Sequence, residues 1–421
     1  MITLITSFFI LGYLSIIFEH QIKIDKAVSA LITGVACWVV IALNQNSVEA
    51  SDHLVLELSH VLGEIAAILF FLIGAMTIVE LIDLHQGFHV VSSWIKSKKK
   101  FTLLILISVI AFFFSAVLDN LTTTIVMISL IRKIIHHNED RLWFASFVVI
   151  AANAGGAWSP IGDVTTTMLW IAHKVSSLHL VQELFIPSVL CIAIPLLIAS
   201  RNTRFWGYYK DEAEIPEAFH PSSSFYLWTG ITLLIFVPIF KTLTHLPPFM
   251  GMMGAMAIFW LISEINHPYK FPETRDSPKP TVRNALSRIE IPSILFFFGI
   301  LFAISALQQV GQLKNLGVFL DQHISDPAII AFVLGLLSAV IDNVPLVAGA
   351  MGMYSYSLDH SFWHEVAYAA GTGGSVLIIG SAAGVAAMGL EKITYPWYFK
   401  RISFLALLGY VAGWVYIYYF S

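Results

Sequence analysis

Apolar runs that approach membrane-spanning length recur along the whole chain and alternate with short polar segments. A bilayer core about 30 Å thick requires roughly 20 apolar residues in a helix, so each run predicts a membrane helix. Ten such spans are predicted, over residues 2–19, 27–43, 64–85, 142–173, 183–200, 225–241, 249–264, 290–310, 365–390 and 399–420. The first lacks a preceding basic region and a small-residue cleavage site, which predicts a retained helix and not a signal peptide.

Two further apolar segments do not fit the pattern of single spans. Residues 101–131 have basic residues on both sides, so both ends are predicted to face the same side. About 31 residues are too many for one span and too few for two full passes with a turn. We therefore predict a cytoplasmic-side re-entrant hairpin over 101–135, with its tip near Asp119. Residues 327–355, whose flanks carry only Lys314, predict a second hairpin that enters from the outer side.

The basic residues predict the orientation of these helices. Of the 23 lysines and arginines, all except Lys174, Lys241 and Lys314 fall in loops on one side of the predicted topology. Because cytoplasmic loops carry the excess of lysine and arginine, those loops are assigned to the cytoplasm and both termini to the outside. The chain is thus predicted to be an all-α polytopic, multi-pass membrane protein.

Three sequence blocks occur twice, in the same order and at nearly one offset. SAVLDN (115–120) matches SAVIDN (338–343), GEIAAILFFLIG (63–74) matches IEIPSILFFFG (289–299), and AANAGG (151–156) matches AAGTGG (369–374). Matched segments of this size in opposite topology indicate an inverted repeat, which is typical of secondary transporters.

The repeat predicts the domain organisation. The first inverted repeat covers residues 1–200, a cytoplasmic linker covers 201–224, and the second repeat covers 225–421. Each half contains five spans, one re-entrant hairpin and one discontinuous helix. The discontinuity is predicted where glycines and Pro160 interrupt an apolar run between Asn153 and Asp163, and at the glycine-rich match 371–381.

Composition excludes several function classes. A mean hydropathy of +0.79 with only 12% charged residues excludes an ordinary soluble domain, which carries about 25%. Cys37 and Cys191 lie in apolar runs, so no disulfide framework or metal cluster is implied. No Walker A motif is present, and the polar stretches are too short for a catalytic domain. The chain is therefore predicted to be neither an enzyme nor a nucleic-acid binder.

The hairpin tips and helix breaks concentrate the candidate chemistry. An aspartate at bilayer depth costs about 2.5–3.5 kcal/mol, so a buried one is a functional candidate. Small hard cations such as Na⁺ prefer oxygen ligands. The predicted cation and proton ligands are Asp119, Asn120, Thr122, Asn153, Asp163, Thr166, Asp342, Asn343, Thr372, Ser375 and Ser381, with Asp119, Asp163 and Asp342 as the Na⁺-binding carboxylates. Supporting roles are assigned to Ser115, Ser338, Glu64 and Glu290.

These residues permit an exchange reaction. A carboxylate removed from water holds either a proton or a metal ion near neutral pH, but not readily both. Such competition suffices for cation/proton antiport when the site is exposed alternately to each side. The halves are not equivalent, because Asp163 corresponds to Ser381.

Structural roles remain open for several of these positions. Asp119 is also the residue type that caps a helix N-terminus, and Glu64 and Glu290 could each be an acidic helix start. Four threonines are expected to bond back to their own helices: Thr123, Thr124, Thr165 and Thr167.

Four segments resemble the NhaD-type sodium/proton antiporters of the ion transporter superfamily. They are SAVLDNLTTTIVM, ANAGGAWSPIGDVTTT, SAVIDNVPLVAGAMGMY and GTGGSVLIIGSAAGVAAMG. The resemblance implies exchange of intracellular Na⁺ (and Li⁺) for external H⁺ by alternating access across a bacterial inner membrane, with no cofactor beyond the transported ions. It assigns the essential positions to Asp119, Asn120, Asn153, Asp163, Thr166, Asp342 and Asn343. The lipid bilayer is the expected partner, and a homodimer is left open.

Three other functions are weighed against this one. An anion or metalloid transporter (for dicarboxylate or arsenite) shares the architecture, but related anion carriers have Ser-Asn-Thr at the tips. Here Asp119 and Asp342 replace that serine, and no lysine or arginine is expected at depth, which favours a cation. An intramembrane aspartyl protease would use Gly162-Asp163, but its Tyr-Asp partner motif is missing. A passive channel would lack proton coupling.

Overall fold

The computed structural model describes residues 1–45, 48–95, 97–209, 222–270, 281–324 and 326–420. Within these ranges the regular structure is helical, apart from one isolated β-bridge between Lys99 and Tyr208. The predicted linker 201–224 is described only in part, since residues 210–221 lie outside the described ranges.

The helices of the first half are α1 (Ile2–Ile17), α2 (Glu19–Ile22), α3 (Lys26–Leu43), α4 (Val48–Leu84), α5 (His89–Ser92), α6 (Lys100–Leu118), α7 (Asn120–Ile134), α8 (Asn138–Ala157), α9 (Val164–Ile171) and α10 (Ser177–Ala199), followed by a 3₁₀ turn at Thr203–Phe205. Those of the second half are α11 (Ser223–Thr244), α12 (Pro248–Lys270), α13 (Val282–Arg288), α14 (Ile291–Gln309), α15 (Gln312–His323), α16 (Pro327–Ser338), α17 (Asn343–Met353), α18 (Ser361–Gly373), α19 (Ala382–Glu391), α20 (Tyr395–Arg401) and α21 (Ser403–Phe420).

The prediction of an all-α polytopic membrane protein is confirmed. In the described part of the chain, eight helices are long and apolar enough to cross a membrane, or nine if the bent pair α15 and α16 forms one span. The eight are α3, α4, α6, α10, α11, α12, α14 and α21. Three predicted spans are not among them. Spans 142–173 and 365–390 are each divided into two helices, α8 with α9 and α18 with α19, and α1, in the predicted span 2–19, has only 16 residues. Helix α6, predicted as one arm of the first hairpin, is by itself long and apolar enough to cross a membrane.

Helix α4 is much longer than predicted. It has 37 residues and begins at Val48, whereas the apolar pattern predicted a start at residue 64. Acidic and histidine side chains interrupt the apolar pattern before residue 64, but no proline occurs there to end a helix. Glu64 is therefore in the interior of α4, and the expectation that it begins a helix is wrong. Glu290 does stand at a helix start, as the N-cap of α14.

The breaks in the two discontinuous helices pack directly against the hairpins. Ser115 Oγ in α6 donates to the Ala152 carbonyl in α8 at 2.5 Å, and Ser338 Oγ in α16 donates to the Ala370 carbonyl in α18 at 2.8 Å. Glycines let the backbones approach this closely. A Cβ atom at Gly155 would collide with the Phe112 carbonyl oxygen, and one at Gly373 with the Gly335 carbonyl oxygen.

The two halves interlock around these breaks. Helix α7 of the first hairpin packs on α19 of the second half, and α17 of the second hairpin packs on α9 of the first half. The long arms of the broken helices, α8 and α18, also contact each other. Both tips and both breaks are thereby gathered around one region of the molecule.

Candidate functional site

Four half-helices begin around this region, and each has an oxygen-bearing side chain as its N-cap. Asp119 accepts from Thr122 N at 2.7 Å, Asp163 from Thr165 N at 2.9 Å, Asp342 from Val344 N at 3.2 Å and Ser381 from Gly384 N at 3.1 Å. Aspartate and serine are favoured caps because they satisfy amides that have no partner within the helix. The capping role foreseen for Asp119 is thus present, and it extends to all four starts.

The Asp163 carboxylate joins the two hairpin tips. Its Oδ2 accepts from Asn120 Nδ2 at 2.8 Å, and Asn343 Nδ2 lies 3.4 and 3.5 Å from its two oxygens. Its Oδ1 also accepts from the hydroxyl of Thr165 at 2.8 Å. The residue is only 2% exposed. One buried carboxylate is therefore in contact with the first tip, the second tip and the first helix break.

Asn153 extends these contacts to the second break. Its Oδ1 accepts from Asn120 Nδ2 at 3.1 Å, and its own Nδ2 donates to the hydroxyls of Ser375 and Ser381, each at 2.9 Å. The result is one connected, buried set of side chains, here called the central polar network: Asn120, Asn153, Asp163, Asn343, Ser375 and Ser381. Asp163 is the one ionisable residue among the six. In the described part of the chain no basic side chain is bonded to any of them.

Asp119 lies beside this network but is not bonded to it. Its carboxylate accepts from both the amide and the hydroxyl of Thr122, the latter at 2.9 Å. Its backbone has φ 81° and ψ 161°, a region that is essentially restricted to glycine. A non-glycine residue held there costs about 1–3 kcal/mol, and such positions cluster at functional sites.

Asp342, the equivalent residue of the second tip, has an ordinary backbone and a different partner. Lys26 Nζ lies 3.2 Å from its Oδ2 and 4.4 Å from the centroid of the Phe296 ring. No lysine or arginine was expected at depth, and the sequence analysis gave Lys26 no contact with this tip. Lys26 was assigned to a loop because it precedes the apolar run, and its partner is 316 residues away in the sequence. The one signal in the sequence is a lysine in the first turn of a helix, where the dipole disfavours it.

The remaining predicted ligands bond to the backbone. Thr166 Oγ1 donates to the Asp163 carbonyl at 2.9 Å, and Thr372 Oγ1 donates to the Tyr368 carbonyl at 2.6 Å. Ser115 and Ser338 fasten the hairpins to the broken helices, as described above. Glu64 and Glu290 are exposed and make no contact with the central polar network.

The expectation for the threonines is also wrong in part. Thr165 bonds to the Asp163 carboxylate, and Thr167 bonds to the Pro160 carbonyl across the helix break instead of to its own helix. The hydroxyls of Thr123 and Thr124 are buried without a hydrogen-bond partner in the described chain. The spacing Asp-x-Thr, in which a cap residue precedes a hydroxyl by two positions, could have identified Thr165.

The arrangement can accept either a proton or a small cation. Amide and hydroxyl groups rotate to present either donors or oxygen acceptors, so the asparagines and serines around Asp163 suit both forms of its carboxylate. No group of three or more His, Cys, Asp and Glu side chains is placed to share a metal ion among the described residues. Asp119, Asp163 and Asp342 thus occupy three separate positions along the interlocked tips and breaks.

Comparison with known proteins identifies the family. A family model described as citrate transporter (CitMHS) matches residues 13–373. Sodium/proton antiporter 1 of Arabidopsis thaliana is 45% identical over 408 residues, which cover 96% of this chain and 70% of that protein. Sodium/proton antiporter 2 of the same plant is 44% identical over 96% of both chains. The Na⁺/H⁺ antiporter NhaD of Vibrio cholerae is 29% identical over 96% of this chain and 89% of its own.

Each of these matches covers most of the chain, so the family assignment applies to the whole protein and not to a fragment. The matched proteins are transporters and not enzymes. The chain therefore belongs to the family matched by the citrate-transporter model and, within it, to the NhaD-type sodium/proton antiporters.

Proposed function

We propose that this protein exchanges Na⁺ for H⁺ across a membrane, with the Asp163 carboxylate as the group for which the two ions compete. One observation carries the proposal: Asp163 is buried, contacts both hairpin tips, and has only neutral hydrogen-bond donors around it among the described residues. The names of the relatives, which describe sodium/proton antiporters, support the same choice of ions.

The physical basis is the cost of an unbalanced charge. A buried carboxylate that lacks a basic partner is stabilised by taking up a proton or a metal cation. The central polar network offers Na⁺ the side-chain oxygens of Asn120, Asn153 and Asn343 in addition to the carboxylate. Li⁺, which is smaller and equally hard, is proposed to use the same oxygens. The site needs no cofactor other than the transported ions.

Alternating access is the proposed route by which the bound ion reaches each side. The central polar network is held by contacts between the halves, from Asn343 to Asp163 and from Asn153 to Ser375 and Ser381. Movement of one half against the other would open these contacts to one side at a time. Asp119, which flanks the network, is proposed to bind the ion on its way in or out.

The membrane arrangement is proposed on the sequence pattern. Inverted repeats over 1–200 and 225–421, re-entrant hairpins at α6–α7 and α16–α17, and external termini follow from the apolar runs and basic loops. The relatives come from a plant as well as from bacteria, so a bacterial inner membrane stays a prediction. A homodimer within the lipid bilayer is likewise a prediction.

An anion such as citrate is the second candidate, and the description of the family model favours it. Four helix N-termini around one region could in principle bind an anionic substrate. Three of those N-termini, however, are capped by the protein's own carboxylates, Asp119, Asp163 and Asp342. A dicarboxylate or tricarboxylate placed there would be repelled by them, so the caps favour a cation.

The test uses the full chain reconstituted in vesicles that contain a pH-sensitive dye. We expect Na⁺ and Li⁺ to drive proton movement in the wild type, and Asp163→Asn to abolish it, because asparagine keeps the cap but cannot hold a proton. Ser381→Ala, the matched change at the second break, should lower the exchange far less. Uptake of radiolabelled citrate without Na⁺-driven proton movement would instead establish the anion transporter.

A further inference from the structure

We propose that Lys26 acts as a tethered cation that occupies Asp342, so that the second hairpin tip is closed to Na⁺ and each chain binds a single transported cation. This inference rests on the proposed function and deepens it. It differs from the symmetric expectation that both tip aspartates bind sodium.

The position of Lys26 is set by its backbone. Its amide donates to Glu19 Oε2 at 3.2 Å, and the preceding Asp25 caps α3 by accepting from Ala27 N at 2.8 Å. A lysine in the first turn opposes the helix dipole, so this site is not one that the helix itself favours. The acidic side chains around it, and above all Asp342, offset that cost.

The ammonium group sits where a ligand cation would sit. It is 3.2 Å from Asp342 Oδ2, and it lies over the face of Phe296, which attracts cations through its negative quadrupole. The lysine side chain is 32% exposed and that of Asp342 is 21% exposed, so water screens the pair only in part. A sodium ion at Asp342 would have to displace a charge that is already covalently attached to the protein.

The first tip has no such counter-ion. In the described part of the chain Asp119 accepts hydrogen bonds from Thr122 and from the Leu121 amide, and Asp163 likewise accepts only from neutral groups. Of the three capping aspartates, Asp342 is thus the one whose charge is already balanced. Transported Na⁺ is therefore directed to the Asp119 and Asp163 side of the interlocked region.

The experiment counts bound ions. Purified full-length protein is titrated with ²²Na⁺ in equilibrium dialysis at fixed pH, and the saturating number of ions per chain is measured. We expect one Na⁺ per chain for the wild type and two for Lys26→Gln, because the freed Asp342 becomes a second site. Lys26→Arg keeps the charge and should bind one. The control Lys23→Gln, which removes an exposed charge three residues earlier, should also bind one.

Further variants keep the inference open to refutation if Lys26→Gln does not fold. The double variant Lys26→Gln/Asp342→Asn removes both charges and should return to one Na⁺ per chain. Asp342→Asn alone should still bind one Na⁺, with lower affinity because Lys26 is left unbalanced. A wild type that binds two Na⁺, a Lys26→Gln variant that binds one, or an Asp342→Asn variant that binds none would each overturn the inference. Absence of Na⁺-driven proton exchange in vesicles that contain the wild-type protein would instead count against the proposed function.

Discussion

The two hairpin tips have nearly the same sequence and the same packing, but different chemistry. Each follows the pattern Ser-Ala-Val-x-Asp-Asn, each serine bonds a carbonyl of the adjoining broken helix, and each aspartate caps the helix that follows. The first aspartate, Asp119, has a strained backbone and no ion pair with any described residue, whereas Asp342 has a relaxed backbone and is paired with Lys26.

The helix breaks differ in charge as the tips do, with the unbalanced negative charge in the first half. Asp163 at the first break is a buried carboxylate, and Ser381 at the second break is neutral. The duplicated parts therefore conserve how the chain packs, while the unbalanced negative charge is concentrated in the first half. The repeated sequence blocks thus share a packing scheme around a set of side chains that is not symmetric. Each of the following variants breaks or sharpens this comparison.

The largest difference in exchange rate is expected between variants of the two helix breaks. Asp163→Asn is expected to lower Na⁺-driven proton exchange by about 100-fold or more. Asparagine can neither hold the proton nor balance the charge of a bound cation, and losing a buried contact between charges costs about 2–5 kcal/mol. Ser381→Ala removes a cap and one hydrogen bond to Asn153, and should lower exchange by less than about tenfold. Initial rates in dye-loaded vesicles measure both. Equal losses would mean that the two breaks are chemically equivalent.

The two tips should respond to glycine with opposite changes in stability. Asp119→Gly relieves a backbone that costs about 1–3 kcal/mol, so the free energy of unfolding should rise by about 1 kcal/mol while exchange falls. Asp342→Gly relieves no strain, loses its pair with Lys26, and should be destabilised by about 1 kcal/mol. Denaturant unfolding of the purified protein measures both, and shifts of the same sign would refute the contrast.

Adding a methyl group at the matched glycines of the two halves should lower the free energy of unfolding equally. Gly155→Ala and Gly373→Ala each place a methyl group against a hairpin carbonyl, and each should cost about 1–3 kcal/mol of unfolding free energy. Gly349→Ala is the matched control, because nothing lies within 4 Å of its Cβ position. A loss at Gly155 alone would show that the halves do not share a packing scheme.

The smallest effect is expected at the matched glutamates. Glu64→Gln and Glu290→Gln alter exposed side chains outside the central polar network and should change exchange by less than about twofold. The same vesicle assay applies. A strong loss in either variant would restore the supporting role that the sequence assigned to them.

Most of the fold could be predicted because a membrane helix is visible in the sequence as a long apolar run. Apolar length located seven of the ten predicted spans within the described chain, and the glycines with Pro160 located the first break. The start of α4 was missed because the helix begins at Val48, before the continuous apolar run, and hydropathy does not identify a helical segment that contains polar residues. Helix ends of that kind depend on tertiary contacts that a hydropathy pattern does not contain.

The candidate site was predictable in its residue types and less so in its partners. The repeat pointed to Asn120, Asn153, Asp163 and Asn343, which the structure brings together. It could not reveal that Lys26 meets Asp342, because a contact between residues 316 positions apart has no local pattern. Symmetry also suggested two equivalent tips, and only the three-dimensional contacts show that one of them is balanced by a lysine.

The most direct test of Asp163 as the exchanging group is proton release on Na⁺ binding. Purified protein in weakly buffered detergent solution is mixed with NaCl, and the protons released per chain are followed with a pH indicator, with choline chloride as the ionic control. We expect Na⁺ to release protons from the wild type and none from Asp163→Asn. Undiminished release from the Asp163→Asn variant would contradict the assignment.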